Sequence, residues 1–192
     1  MTTEQKLEKT LTRRRLLRTG VMTGIVIPGT VFGQPPNRAR PKKGDWLVFD
    51  GGERNGERIT PALLTLNQRP IAALAKEPAT NTLRDGSRLN RVMVTKLDLA
   101  KLDSEVAGLT ADGVIAYSAV CTHTGCDVTN WDPDNLLMAC PCHESKFDVY
   151  SNAKVVGGPA PRPLAILPLS LGEDAIIVAD SFQGRVGFTQ QF

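Results

Sequence analysis

All four cysteines and both histidines of this 192-residue chain fall between Cys121 and His143. Thiolates and imidazoles are the side-chain groups that bind zinc, copper and iron most readily. Cysteines and histidines that served only as core residues would be spread along the chain. Their confinement to one short stretch therefore indicates a single chemical site.

The six residues form two short boxes. The first box, residues 121–126, reads Cys-Thr-His-Thr-Gly-Cys, and the second box, residues 140–145, reads Cys-Pro-Cys-His-Glu-Ser. A tetrahedral zinc site would use four of the six candidates and leave two without a role. A framework of two disulfides would leave both histidines unexplained. A two-iron cluster with two cysteines on one iron and two histidines on the other, beside one cysteine pair, employs all six.

Both boxes resemble those of the high-potential Rieske iron–sulfur proteins. That family also has a proline loop over the cluster, and Gly158-Pro159-Ala160-Pro161 stands at the corresponding place in this chain. The likeness extends over residues 111–163. The resemblance implies one [2Fe–2S] cluster, with Cys121 and Cys140 on one iron, His123 and His143 on the other, and a disulfide between Cys126 and Cys142.

The charge of such a cluster predicts a high reduction potential. Two ferric ions, two sulfides and two thiolates sum to zero, because neutral imidazoles add no charge. An electron is therefore accepted more easily than by an all-thiolate cluster, and the expected range is roughly −150 to +300 mV. By resemblance, the Ser145 hydroxyl bonds a bridging sulfide and raises the potential. Phe147 stands where the quinol-oxidising members carry a tyrosine that bonds a ligand cysteine, so we expect a lower potential than theirs.

Two further positions depart from the quinol-oxidising pattern. Thr124 replaces the leucine that shields the cluster at the quinone-docking face, and Glu144 replaces a glycine. Together with Phe147, they resemble the small subunits of arsenite-oxidase-type molybdenum enzymes. The resemblance predicts an electron-transfer subunit of a respiratory complex, either a cytochrome bc-type quinol oxidase or a molybdenum enzyme. The expected donor is a quinol or a molybdopterin subunit, and the expected acceptor is a c-type cytochrome.

Other function classes fit the sequence less well. A nucleic-acid-binding protein would need a basic face, whereas much of the small net charge of +3 comes from arginines and lysines before residue 44. No Ser/His/Asp or Cys/His nucleophile is available when both histidines bind metal, so we expect no catalytic residue. The rival hypotheses are a soluble Rieske ferredoxin of an oxygenase system and a structural zinc module.

The N-terminal residues have the pattern of an export signal. Residues 12–18 read Thr-Arg-Arg-Arg-Leu-Leu-Arg, a twin-arginine pattern, and an uncharged stretch follows from Thr19 to Gly33. We therefore interpret residues 1–33 as a twin-arginine signal or a retained anchor in the inner membrane, and residues 34–44 as a linker. The expected location is the periplasm, where a disulfide is stable.

The remaining sequence predicts an all-β fold. Short runs rich in β-branched residues alternate with turn signals, and they predict strands at residues 46–49, 91–95, 114–117, 164–167 and 175–178. Residues 97–109 have the spacing of one short helix, and residues 61–74 of a second helical piece. The resemblance implies a Rieske domain over residues 45–192, in which an antiparallel base domain carries an inserted cluster-binding subdomain at about residues 116–163.

Overall fold

A computed structural model describes residues 33–188 of the protein. The predicted export signal therefore lies outside the described residues, apart from Gly33. No helix within residues 33–188 is both long and apolar enough to cross a membrane. The strands are β1 (Trp46–Phe49), β2 (Ile71–Glu77), β3 (Thr82–Leu83), β4 (Val92–Lys96), β5 (Val114–Ser118), β6 (Asn130–Asp132), β7 (Leu137–Ala139), β8 (Lys146–Asp148), β9 (Lys154–Gly157), β10 (Ile166–Leu167), β11 (Leu169–Leu171) and β12 (Ile176–Val178), and the α-helix is α1 (Ser104–Ala107).

Eight strands form one antiparallel sheet that curls into a nearly closed barrel. Its order is β10-β5-β4-β2-β1-β12-β11, and β3 adds to β2. Strands β10 and β11 lie at opposite ends of this order, yet only Pro168 separates them in sequence. Because one residue joins the two ends, the sheet must bend round until its edges meet. Proline fits this corner, since it has no backbone N–H to contribute to either ladder.

The other four strands form a small antiparallel sheet in the order β6-β7-β8-β9. All four lie in the stretch of chain between β5 and β10, which are themselves paired through Tyr117 and Ile166. The small sheet is thus an insertion between two neighbouring barrel strands. The first box lies between β5 and β6, the second between β7 and β8, and the proline loop (residues 158–161) between β9 and β10.

Two hydrophobic cores follow from the alternation of side chains along the strands. On β5, Val114 and Ala116 face one core with Leu47, while Ile115 and Tyr117 face the other. The second core also contains the buried side chains of the insertion, including both unpaired cysteines. All five residues of β5 are buried, so this strand separates the two cores.

Two tyrosine hydroxyls fasten the insertion to the barrel. The Tyr117 hydroxyl on β5 donates to the carbonyl of Val149 at 2.9 Å, and burial raises the pKa of this tyrosine. The Tyr150 hydroxyl of the insertion donates to Asn67 Oδ1 at 2.6 Å and accepts from the N–H of Asp98 at 3.1 Å. These bonds fix the small sheet against the barrel at two separate points.

The predicted strands are confirmed with small differences at their ends, and the helices are not. Residues 97–109 contain a 3₁₀ turn, Leu99–Lys101, and the single-turn helix α1 instead of one continuous helix. Residues 61–74 contain only the 3₁₀ turn Pro61–Leu63. The last four residues of that stretch are the start of β2, the longest strand of the described residues. Pairing with β1 on one side and β4 on the other determines its conformation.

Residues 36–45, which we call the strap, are bonded to the barrel, although the composition of residues 34–44 suggests a free linker. The Gly86 N–H donates to the Asn37 carbonyl at 3.0 Å, and the Gly44 N–H donates to the Val178 carbonyl at 2.9 Å. The Asn90 side-chain amide donates to the Ala39 carbonyl at 2.8 Å. Over these residues the chain is fixed to the loop that precedes β4 and to β12.

Candidate metal centre

Both boxes fold into loops with the same hydrogen bonds. In the first box, the Cys121 N–H donates to the Cys126 carbonyl at 2.8 Å, and the Gly125 N–H donates back to the Cys121 carbonyl at 3.1 Å. In the second box, the Cys140 N–H donates to the Ser145 carbonyl at 2.9 Å, and the Glu144 N–H donates to the Cys140 carbonyl at 2.9 Å. Each loop therefore closes on its first cysteine, which places Cys121 and Cys140 in equivalent positions.

The fifth residue of each loop has a left-handed backbone. Gly125 has a φ of +84° and Glu144 a φ of +56°. Glycine adopts this conformation without strain, whereas a residue with a Cβ does so at a cost. This explains why glycine is the usual residue at the position of Glu144. The exposed Glu144 side chain points away from the buried core, so the cost is confined to the backbone.

The four predicted ligands form two pairs, one of thiols and one of imidazoles. Cys121 and Cys140 are free thiols that are fully buried. The His123 and His143 rings lie with their centroids 4.7 Å apart and are nearly perpendicular. His123 is half-buried and His143 is exposed. The site therefore has a buried thiol side and a histidine side that reaches the surface.

One buried atom of this group has no partner within the protein. His123 Nδ1 is buried and accepts or donates no hydrogen bond among the described residues. A buried polar atom without a partner is rare in native proteins and calls for an unseen one, such as a metal ion. Two thiolates beside two imidazoles are also the donor set of a Rieske [2Fe–2S] cluster. The residues present therefore fit such a group.

Burial disfavours a free thiolate at Cys121. Burial raises the pKa of Cys121, because a thiolate loses its hydration, and the backbone N–H of His123 only partly offsets this effect. A bound cation supplies the missing compensation and holds the sulfur deprotonated.

Cys126 and Cys142 form a disulfide that joins the two loops, as the resemblance implied. Their sulfur atoms and that of Cys140 all lie within 4.8 Å of one another. This trio is nevertheless no metal site, because two of its sulfurs are bonded to each other and cannot act as thiolates. The disulfide is half-buried at Cys126 and exposed at Cys142, so it lies on the solvent side of the loops.

The residues predicted to tune the cluster lie in or beside the two boxes. Ser145 and Phe147 are fully buried. Gly158 of the proline loop has a φ of +78°, and a Cβ there would lie 2.5 Å from Ser145 Cα, so only glycine fits. Pro159 is exposed. Thr124 is also exposed, with its hydroxyl 3.9 Å from Cys126 Sγ, so it lies over the disulfide on the outer side of the first box.

Two contacts to the first box, and one to the residue after it, were not predicted from the sequence. The Thr122 hydroxyl donates to the Arg162 carbonyl at 2.7 Å, which ties the first box to the end of the proline loop. Arg88, from the turn before β4, donates to the Gly125 carbonyl and to Asp127. No local pattern marks Arg88, because its partners are distant in sequence. The sequence does show Thr122 as a polar residue inside a metal-binding box, and the structure shows that it is buried.

Comparison with known proteins places this site in one family. The Rieske [2Fe–2S] domain matches residues 79–168. A protein named as a Rieske subunit of a respiratory nitrate reductase from Haloferax mediterranei is 44% identical over 91 residues, which are 47% of this chain and 38% of that protein. The cytochrome bc1 complex Rieske iron–sulfur subunit of Streptomyces lividans is 35% identical over 77 residues, 40% of this chain and 45% of that subunit.

Among solved structures, the ferredoxin of carbazole 1,9a-dioxygenase from Nocardioides aromaticivorans matches with a TM-score of 0.42 and 22% identity, over 64% of this chain and 94% of that one. Each of the two matched subunits shares less than half of its length with this chain. The matched region contains both boxes, the disulfide and the proline loop. Residues 79–168 therefore match a Rieske [2Fe–2S] domain, a domain that binds one [2Fe–2S] cluster, and they contain the disulfide of the disulfide-containing type.

Proposed function

We propose that this protein transfers single electrons, with Cys121 and Cys140 binding one iron of the cluster and His123 and His143 the other. The observation that carries the proposal is the matched pair of loops. Each loop presents one buried free thiol and one imidazole, and a disulfide holds the loops together. When bound, the cluster supplies a one-electron couple of high potential, because its oxidised form is neutral.

The protein's own residues give the site its two sides. The thiol side is buried in the second core, where Phe147 and Met138 exclude water. The histidine side opens at His143, which is exposed next to Glu144 and Pro141. Electron transfer requires close approach of a partner, so the surface around His143 is the proposed point of exchange.

We further propose that the protein is the iron–sulfur subunit of a membrane-bound respiratory complex in the periplasm, exported by the twin-arginine route. Two relatives carry names of respiratory complexes, a cytochrome bc1 complex and a nitrate reductase. The donor is then a quinol or a molybdopterin subunit, as in an arsenite-oxidase-like enzyme, and the acceptor a c-type cytochrome. Thr124, Glu144 and Phe147 favour the molybdenum enzyme, because all three differ from the quinol-oxidising pattern.

The ligand set can be tested by spectroscopy of the reduced protein. Nitrogen hyperfine couplings from two histidines in pulsed electron paramagnetic resonance, with two irons and two acid-labile sulfides per chain, are the expected result. His143→Ala should remove one nitrogen coupling. Zinc without iron or sulfide in the purified protein would overturn the cluster assignment in favour of a structural zinc module.

To distinguish the molybdenum enzyme from the quinol oxidase, the protein is purified from its native membrane with its partners. Co-purification with a molybdopterin subunit would support the molybdenum enzyme, and inhibitor-sensitive quinol oxidation by the assembly would support the quinol oxidase. A protein that instead purifies alone from the soluble cytoplasm and reduces an oxygenase would contradict both, and would support a ferredoxin.

A further inference from the structure

The loop before β4, residues 84–91, connects the strap to the first box. At one end, the buried guanidinium of Arg84 binds Asp45 of the strap through two hydrogen bonds of 2.9 and 3.2 Å. In the middle, the Asn90 side chain is fully buried and donates to the carbonyls of Ala39 and Arg84. The backbone of this loop is therefore held from inside the protein, although Arg88 and Arg91 extend outward.

Arg88 reaches from this loop to the first box. One terminal nitrogen, Nη2, donates both to the Gly125 carbonyl and, at 3.0 Å, to Asp127 Oδ1. Asp127 is also 3.4 Å from Arg91, which is bonded to Asp50 of the barrel. Asp127, which follows Cys126, is therefore held by the guanidinium groups of Arg88 and Arg91. Both arginines belong to the loop whose backbone is held from inside the protein.

The carbonyl of Gly125 lies at the turn of the first box. Gly125 has the left-handed conformation that turns the chain, and it lies directly before the disulfide cysteine Cys126. Its N–H closes the loop onto Cys121, and its carbonyl accepts a hydrogen bond from Arg88. A charged donor on this carbonyl restrains the peptide plane between Gly125 and Cys126 more firmly than water would.

From these contacts we infer that Arg88 is a positioning residue of the electron-transfer site. It holds the first box in the closed form that presents Cys121 and His123, and it adds a positive charge beside that box. The inference deepens the proposed function and rests on its assignment of the first box as a ligand loop. An ordinary surface ion pair would contribute little, since the Arg88 side chain is 57% exposed. The contact with a backbone carbonyl inside the box distinguishes Arg88 from such a pair.

The test uses the full chain with its cluster and three variants. Arg88→Gln removes the charge and shortens the reach, Arg88→Lys retains the charge, and Arg54→Gln is the control. Arg54 is a half-exposed arginine that pairs with Glu57 three residues further on, in a loop separate from residues 84–91. Two quantities are measured: the midpoint potential by protein-film voltammetry, and the rate at which a water-soluble phosphine reduces the Cys126–Cys142 disulfide.

Arg88→Gln should lower the potential and accelerate disulfide reduction by about fivefold, because one charge-assisted contact at a partly exposed site is lost. Arg88→Lys should keep most of the potential and show an intermediate reduction rate, and Arg54→Gln should match the wild type in both. Wild-type values for Arg88→Gln in both measurements, or equal changes in Arg54→Gln, would overturn the inference. The disulfide rate does not depend on which groups bind iron, so a failed ligand assignment would appear only in the iron, sulfide and resonance data.

Discussion

The backbone N–H of Ala160 donates a hydrogen bond to the Ser145 hydroxyl oxygen, with 3.1 Å between the two atoms. Both residues are buried, Ser145 at the end of the second box and Ala160 in the proline loop. Because the oxygen acts as the acceptor here, the hydroxyl hydrogen remains available to donate toward the cluster. One serine therefore holds the proline loop and still has a hydroxyl hydrogen to donate.

Ser145→Ala should lower the reduction potential, since the hydroxyl no longer stabilises the more negative reduced cluster. The alanine also leaves the Ala160 N–H without a partner, which costs about 1–3 kcal/mol in a buried position. Voltammetry and denaturant unfolding measure the two effects, with exposed Ser181→Ala as the control. An unchanged potential would show that this hydroxyl does not reach the cluster.

Phe147→Tyr should raise the potential. Phe147 is fully buried on β8, where it packs in the same core as Cys140, and phenylalanine offers no donor to a ligand thiolate. A tyrosine hydroxyl in this place would add one hydrogen bond to the reduced cluster. Voltammetry at fixed pH checks the shift. A lowered or unchanged potential would contradict the argument that the missing hydroxyl sets this site apart from the tyrosine type.

Gly158→Ala should disrupt the proline loop. The new Cβ would meet Ser145 Cα at 2.5 Å, and its backbone would be held at a φ of +78°. We expect loss of bound iron, measured by visible absorbance and iron analysis. Gly157→Ala is a matched control, because a Cβ there meets nothing closer than the flexible Lys146 side chain at 3.7 Å. Equal iron loss in both variants would refute the steric explanation.

Arg84→Met should destabilise the fold by about 3–5 kcal/mol, because it leaves Asp45 as an unpaired buried charge. The guanidinium is 2% exposed and the carboxylate 4%, and the hydrogen bond with Asp45 raises the pKa of Arg84. Adding Asp45→Leu should recover much of the loss in the double variant. Exposed Arg54→Met should change the unfolding free energy by less than about 0.5 kcal/mol. Urea unfolding of all three variants provides the comparison.

Asn135→Ala should raise the pKa of Asp132 toward its ordinary value. The Asn135 side-chain amide donates to Asp132 Oδ2 at 2.9 Å and is the main cause of the lowered pKa of that carboxyl. A lowered folded-state pKa contributes stability above the unfolded-state pKa, and this contribution is lost as the pH falls through the folded-state value. The difference between wild type and variant should therefore be present at neutral pH and vanish in acid. A carbon-detected NMR titration of Asp132 follows the pKa directly, and an unshifted titration in the variant would contradict the assignment.

The chemistry of the site was predictable because its residues are close in sequence. Two six-residue boxes carry all the cysteines and histidines, and each box forms its own loop with its own hydrogen bonds. The strands of β-branched residues were predictable for the same reason, since alternation is a local property.

Features that depend on partners distant in the chain could not be predicted from the sequence. The sequence of β2, Ile-Ala-Ala-Leu-Ala-Lys-Glu, is rich in good helix formers, and the ladders with β1 and β4 override this preference. Arg84 looks like any surface arginine in the sequence, yet Asp45 lies 39 residues away and makes its burial possible. Arg88 likewise has its partners, Gly125 and Asp127, 37 and 39 residues further on.

The position of the insertion between β5 and β10 has a consequence for the architecture. The insertion leaves the barrel at one strand and returns at the neighbouring strand, because Tyr117 of β5 and Ile166 of β10 are paired. The ladders of the barrel therefore include no residue of the inserted sheet. The barrel is thus a closed support, and the length of the inserted chain can change without altering any of its ladders.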